Sequence, residues 1–248
     1  MPIVYRFPQA EFVMSTIQFV AHCQKVGVPL YYRAMRGDAL IERTRARAAT
    51  HFLKDTSYDV LLQVDDDIGF SPEDAVQVAE QAMEHDIVCG VYLTRHRTAG
   101  VPTSYLEPGR TYRFFSGDPT PVPIRWGGGG FMAVHRRVFE RLAGDLPLCH
   151  PGEDLEHYPF YQTMVVPGPL DPEHPILLSE DWAMCERARR AGFGVWANPN
   201  VRLAHFGTTA FVLEDLLSAP VERQVLDIER KLNGDLTTIG RSLVAAGG

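Results

Sequence analysis

The chain has 248 residues, 45% hydrophobic and 10% aromatic, enough to bury a sizeable core as one main domain. A formal charge of −7 at pH 7 argues against a protein that grips nucleic acid mainly through bulk positive charge. Cys23, Cys89, Cys149 and Cys185 are scattered without a C-x-x-C pair, so they suggest neither a zinc knuckle nor a disulfide framework and read as reduced thiols.

The opening MPIVYRFPQAEF lacks the basic start and continuous apolar core of a secretory signal. No later run approaches the roughly 20 apolar residues that a membrane helix needs. The expectation is a soluble, intracellular protein of the cytoplasm, or of the host cytoplasm if it is viral. Strand and helix patterns alternate, which favours an α/β class.

In chain order, Ile3 to Phe7 reads as a strand. Ala10 to Val26 reads as a helix with Phe12, Ile17, Phe19, Val20 and Cys23 on its apolar face, stopped by Gly27. Val28 to Met35 is expected to be a strand. Asp38 is expected to cap a second helix whose core side carries Ile41, Thr44, Ala48 and Phe52, leaving Arg43, Arg45 and Arg47 for other faces. Arginines in the first turns oppose the helix dipole. Their planar forks suit phosphate oxygens or a nucleobase edge, and a solvated helix face is the alternative.

The next stretch, DVLLQVDDDIGFSPEDAVQVAEQ from Asp59 to Gln81, organises the chain. Val60, Leu61, Leu62 and Val64 read as a strand buried on both faces, ending in Asp65, Asp66 and Asp67. Three crowded carboxylates repel one another unless a cation stands among them, and a hard divalent ion bound through oxygen answers that need. Acids also finish strands for purely structural reasons, so the rest of the chain has to decide. A helix follows: Ser71 caps it, Pro72 suits its first position, Glu73 and Asp74 face the positive dipole end, and Val76, Ala79 and Met83 recur at helical spacing.

Asp86 to Val91 reads as a strand, followed by Tyr92 and a basic run including Arg95, His96 and Arg97 that fits an exposed loop or a contact to phosphate or acceptor. Thr111 to Phe115 and Val122 to Trp126 suggest a short β-ribbon. Trp126 to Val134, WGGGGFMAV, carries four glycines that would let backbone approach a ligand closely and take positive φ, or would form a flexible turn. No G-K-[ST] follows, so it is not a P-loop. Asp145 to Leu178 is a long Pro-, Gly- and acid-rich segment, read as an acceptor-side loop or lid. Leu177 to Ala191 is a helix capped by Ser179 and stopped by Gly192, with Glu180 and Asp181 in its first turn. There an Asp can be held by helix amides while facing a cleft, or can simply suit the dipole. After strand-like Val201 to Ala204 comes His205. The tail has an amphipathic run from Val221 to Leu232.

The strand, D-x-D, turn and helix around Asp65 to Asp67 resemble the nucleotide-sugar site of GT-A glycosyltransferases. Leu40 to Ala46 resembles the L-I-x-R-A-R-N stretch of some phage and bacterial members, with Arg43 and Arg45 matching its arginines and Ala46 replacing its Asn. The segment from Gly127 to Phe139 resembles the t-G-f-m-x-x-r-R segment, and Glu180 to His205 resembles the E-D, C-x-x-a-r-x-a-G, v-x-p-x-v-x-l-x-H succession. The resemblance spans about Asp38 to His205 and rests on order rather than on one motif.

What it implies is an α/β GT-A fold with a Rossmann-like, mostly parallel sheet flanked by helices and a small acceptor-side β-ribbon. Residues 1–207 would form the transferase domain and 208–248 a C-terminal helical extension, packed on it or on a partner. The implied activity is hexosyltransferase-like, metal-dependent transfer from a nucleotide-diphosphate sugar to an acceptor hydroxyl. The resemblance places Asp65, Asp66, Arg43, Arg45, Gly129 and Gly130 at the donor. It gives Mn2+ or Mg2+ to Asp67 and His205, with Asp65 bridging ribose and metal. Asp181 becomes the base of an inverting reaction, with Glu180 beside it. The acceptor would be a saccharide, a lipid-linked or small molecule, or a modified DNA base. The alternatives are a retaining transferase on the same metal site and a metal-dependent nucleotidyltransferase or nucleotide hydrolase.

Overall fold

The computed structural model describes residues 2–4, 8–36, 38–95, 102–107, 112–114, 118–150, 152, 156–207, 209–213, 215, 226–232 and 235–241. The first half runs β1 (Pro2–Val4), α1 (Ala10–Val26), β2 (Met35–Arg36), α2 (Ile41–Asp55), β3 (Val60–Asp65), β4 (Ile68–Gly69), α3 (Pro72–His85) and β5 (Ile87–Gly90). Then follow β6 (Tyr112–Phe114), β7 (Val122–Pro123), β8 (Phe131–His135), α4 (Arg136–Ala143), β9 (Met164–Val166), β10 (Ile176–Leu178) and α5 (Glu180–Arg190). The chain continues through β11 (Val195–Asn198), β12 (Ala204–Phe206), β13 (Ala210–Val212), β14 (Leu226–Leu232) and β15 (Asp235–Arg241).

The central sheet has the order β2-β1-β3-β8-β5-β11-β7. Five strands run one way, and β8 and β7 run against them, so β8 pairs antiparallel with both β3 and β5. Both faces are covered, as near-continuous apolar strands require. Ile87, Cys89, Met132 and Val134 point to a core shared with Phe52, Phe139, Phe160 and α5. The alternate residues Val88, Phe131 and Ala133 point to a second core with Phe12, Val64, Ile68, Phe70 and α3. The antiparallel wedge of β8 matters for function. Its register sets Phe131 opposite Val64, and so lays the glycine turn before β8 beside the acidic end of β3.

Several local expectations shift. Ser71 caps α3 by accepting from the Asp74 N–H at 3.1 Å, but the buried stripe is Ala75, Val78 and Ala82, and Met83 stands exposed. On α1 the buried residues are Phe12, Ser15 and Cys23; Ile17 faces outward, because a helix apolar on two sides turns only one of them to the sheet. Of the strand expected over Val28 to Met35 only Met35 is extended into pairing, since β2 meets its single neighbour over two residues. Asp38 does not cap α2 in the usual way: its carboxylate accepts from the Leu40 N–H and clamps Arg43.

The expected ribbon pairs differently. β7 edges the central sheet against β11, while β6 lies beside β14. A two-stranded ribbon does exist, β9 with β10, inside the segment expected to be an open loop, and it leads directly into α5. Beyond 207 the described residues are strands rather than the expected helix. β13 pairs with β12 across the proposed boundary, and β14 with β15 form a hairpin whose first strand runs parallel to β6. The sequence carries the reason: Asn233-Gly234 between two runs, the second rich in Thr and Ile, is a hairpin signature that outweighs the amphipathic pattern. His96 and Arg97 lie outside the described residues, so only Arg95 of that run is placed.

Candidate active site

The site grows from the C-terminal end of β3. Asp65 ends the strand, and its backbone N–H donates to the Gly130 carbonyl at 2.9 Å. Its carboxylate is gripped by Arg45, whose Nη2 donates to Oδ1 and Oδ2 at 2.8 and 2.9 Å. The same guanidinium donates from Nη1 to the Gly129 carbonyl at 2.8 Å and reaches Glu180 from Nε at 3.4 Å. Arg45 is only 2% exposed. Burial works against its charge, but Asp65, Glu180 and Asp181 outweigh burial and hold its pKa above the ordinary value, so it stays cationic. This pairing explains the arginine on the first turns of α2, where the dipole disfavours it.

Across the turn, Asp181 is fixed by three donors. Oδ2 accepts from the Gly129 N–H at 2.9 Å, and Oδ1 accepts from the Trp182 N–H at 2.8 Å and from the Ser179 hydroxyl. Ser179 therefore serves Asp181 instead of capping α5 with its own side chain. Glu180 beside it is pushed above the usual carboxylate range by burial first and by Asp181 second, with Arg45 pulling the other way. Asp65 is raised as well, chiefly by burial, against the pull of Arg45.

The third corner is made by the small sheet β13-β12-β4. β4 and β12 pair antiparallel with Ile68 opposite His205, and the Phe206 N–H donates to the Asp67 carbonyl at 2.8 Å. That pairing carries His205 to the acidic motif from far downstream. Its Nε2 stands 3.5 Å from Asp67 Oδ2, and its Nδ1 lies 2.7 Å from the Leu93 carbonyl. A carbonyl only accepts, so Nδ1 is the donor there and Nε2 is the ring nitrogen on the Asp67 side. Tyr92 lies edge-on to the imidazole, ring centroids 5.2 Å apart.

Asp67 and His205 thus offer one carboxylate oxygen and one imidazole nitrogen, with the imidazole oriented by a backbone carbonyl as metal-ligating histidines are. Among the described residues no group of three His, Cys, Asp or Glu side chains is arranged to hold a metal. Two protein ligands leave the rest of an Mn2+ or Mg2+ shell to water and, where present, phosphate oxygens, which suits an ion that goes on to hold a diphosphate. A cation already stands there: Arg95 Nη1 lies 3.0 Å from Asp67 Oδ2.

The structure redistributes several expected roles. Asp65 is not placed as a metal ligand, because both its oxygens face the Arg45 guanidinium. Arg45 is a buried tie between Asp65 and Glu180 rather than a free phosphate fork, and Arg43 is bound to Asp38 on the helix surface. Asp66 ties the motif to α1 by accepting from the Gln9 N–H through its carbonyl at 2.9 Å. Each backbone polar group of Gly129 and Gly130 already has a partner, from Arg45, Asp181, Tyr92 and Asp65. Neither has positive φ. They are glycines because a Cβ at 129 would lie 3.0 Å from both Arg45 Cζ and Asp181 Cβ, and one at 130 would lie 2.5 Å from the Tyr92 hydroxyl oxygen.

Sequence reading did not foresee the contact made by Tyr92, whose hydroxyl accepts from the Gly130 N–H at 2.9 Å. It also missed Tyr161, which donates to Gln63 at 2.6 Å beneath Arg45. Burial raises the pKa of both phenols, and Asp65 and Asp181 add to the effect on Tyr92.

No protein-family model matches the chain, and no curated protein matches it in sequence. Among solved structures, the crystal structure of A197 from STIV overlays with a TM-score of 0.50 at 15% identity, covering 83% of this chain and 84% of that one. GalNAc-T7 solved with UDP, GalNAc and Mn2+ gives 0.43 at 12% identity over 90% of this chain and 39% of that one. A mutant of Drosophila β1,4-galactosyltransferase 7 solved with manganese, UDP-Gal and xylobiose gives 0.41 at 12% identity, covering 97% and 92%. Likeness at such identities bears on the fold alone. With its acidic strand end, antiparallel β8 wedge and flanking helices, the chain has an α/β fold built on one mixed sheet, in outline the fold of A197.

Proposed function

We propose that the chain is a metal-dependent glycosyltransferase moving a sugar from a nucleotide-diphosphate donor to an acceptor hydroxyl. The observation that carries this reading is the convergence of three separate segments: Asp65 and Asp181 meet at the Gly129-Gly130 turn, and His205 reaches the acidic motif at Asp67. Asp67 and His205 would hold Mn2+ or Mg2+, which when bound would supply Lewis-acid stabilisation of the negative charge developing on the departing diphosphate. Asp65, immobilised by Arg45, orients the donor at its ribose side. Asp181 keeps one of roughly four carboxylate lone-pair sites open after its three internal hydrogen bonds, and it takes the acceptor proton through that site as the hydroxyl attacks with inversion.

The same three bonds favour a second reading, in which Asp181 only orients the sugar and the reaction retains configuration. NMR of the product's anomeric proton separates the two. The test of the main reading is a panel of nucleotide sugars with Mn2+ scored by thermal midpoint, since a donor that binds the native state must raise it. The accepted donor should then be turned over, and Asp181→Asn should lower kcat by about 100-fold or more. No midpoint shift with any donor would sink the assignment.

A further inference from the structure

Arg95 follows β5 on a loop and is half exposed, at 48%, while the Asp67 and His205 side chains that it faces are 19% and 13% exposed. Its Nη1 is ion-paired with Asp67 Oδ2 at 3.0 Å and donates to the Phe206 carbonyl at 3.2 Å. The carboxylate oxygen it occupies is the one that His205 Nε2 faces at 3.5 Å. Gly207 leaves room for the arm: a Cβ there would lie 3.1 Å from Arg95 Cδ.

We infer that Arg95 is a stand-in cation: it neutralises Asp67 when the metal is absent, yields that oxygen when a divalent ion arrives, and moves its guanidinium onto the diphosphate that the ion carries. The inference deepens the metal reading above and rests on it. An exposed arginine on a carboxylate is held weakly, so a divalent ion can displace it. A guanidinium left beside the ion would be repelled by it, whereas two or more phosphate oxygens offer a bidentate partner. The exchange keeps Asp67 neutralised in both states. It also makes metal and diphosphate binding cooperative, because the metal liberates the arginine that the diphosphate uses.

The test is calorimetric titration of the wild type and of Arg95→Ala, first with Mn2+ alone and then with inorganic pyrophosphate at saturating Mn2+. Arg95→Ala should bind Mn2+ alone roughly three- to tenfold more tightly, having lost its internal competitor. It should bind pyrophosphate roughly tenfold more weakly, having lost a bidentate partner. Arg95→Lys, which keeps the charge but not the fork, should fall between them on both arms, and circular dichroism checks that each variant is folded. Unchanged or weaker Mn2+ binding in Arg95→Ala overturns the stand-in role. Unchanged pyrophosphate binding overturns the transfer to diphosphate. If wild type and both variants all ignore Mn2+, the metal reading itself fails and this inference falls with it.

Discussion

Arg45 shows how much one side chain does at this site. Its guanidinium touches Asp65, the Gly129 carbonyl and Glu180, one partner from each of the strand end, the glycine turn and the start of α5. Removing it leaves Asp65 and Glu180 buried without their counter-ion, and breaking such a cluster costs about 3–5 kcal/mol. Arg45→Ala should therefore lower the thermal midpoint by roughly 10 °C for a chain of this size. Arg45→Lys should recover little of that, because an ammonium cannot span two Asp65 oxygens, a carbonyl and a glutamate at once. Differential scanning calorimetry of both variants measures this, and a midpoint within about 2 °C of wild type for Arg45→Ala would contradict it.

At the scale of elements, the turn from Gly127 to Gly130 is a spacer set by the side chains around it. Cys89 presses on Gly127, Thr103 on Gly128, Arg45 and Asp181 on Gly129, and Tyr92 on Gly130. Overpacking such a site costs about 1–3 kcal/mol. Gly130→Ala should fall at the upper end, since its Cβ would lie 2.5 Å from the hydroxyl oxygen of a fully packed tyrosine. Tyr92→Phe removes the acceptor of the Gly130 N–H and should cost about 1–3 kcal/mol by leaving that donor unpaired. The double variant should cost less than the sum of the singles, because deleting the hydroxyl also makes room for the methyl. Urea denaturation of the three proteins reads out the coupling, and strict additivity would refute the contact.

Over the whole molecule, the carboxylates divide by the sign of their shifts. Asp38 is held below the usual range chiefly by its hydrogen bond from Arg43. Glu186 is also held low: burial opposes its charge, but Trp126, Arg190 and Arg189 outweigh burial. Groups of this kind add stability above their unfolded pKa and lose it as pH falls through the folded one. Asp65 and Glu180, raised mainly by burial, behave oppositely. What they add is fully present below the unfolded pKa and is lost as pH rises through the folded value. Two isosteric substitutions should therefore differ in sign at pH 7.5. Glu186→Gln should lower the thermal midpoint, and Glu180→Gln should match or raise it while lowering activity. Both differences should fade toward about pH 4, where the carboxylates protonate. Melting curves at the two pH values check this, and a lowered midpoint for Glu180→Gln at pH 7.5 would show that its charge is not the strained one.

Local physics determined what a local pattern encodes. The apolar run ending in Asp65, the Ser71-Pro72 start of α3, the Gly27 stop of α1 and the acids opening α5 are each written in a few neighbouring residues, because capping, backbone restriction and burial act over one or two turns. The order of these motifs also indicated the α/β GT-A arrangement. Distance in sequence hid the rest. That Arg45 would be buried against Asp65, that the glycines would be crowded by Tyr92 and Arg45, and that Arg95 would reach Asp67 depend on β8 wedging between β3 and β5 and on β12 pairing with β4. Charge and shape at those points are decided by partners 20 to more than 100 residues away, and only folding makes them neighbours.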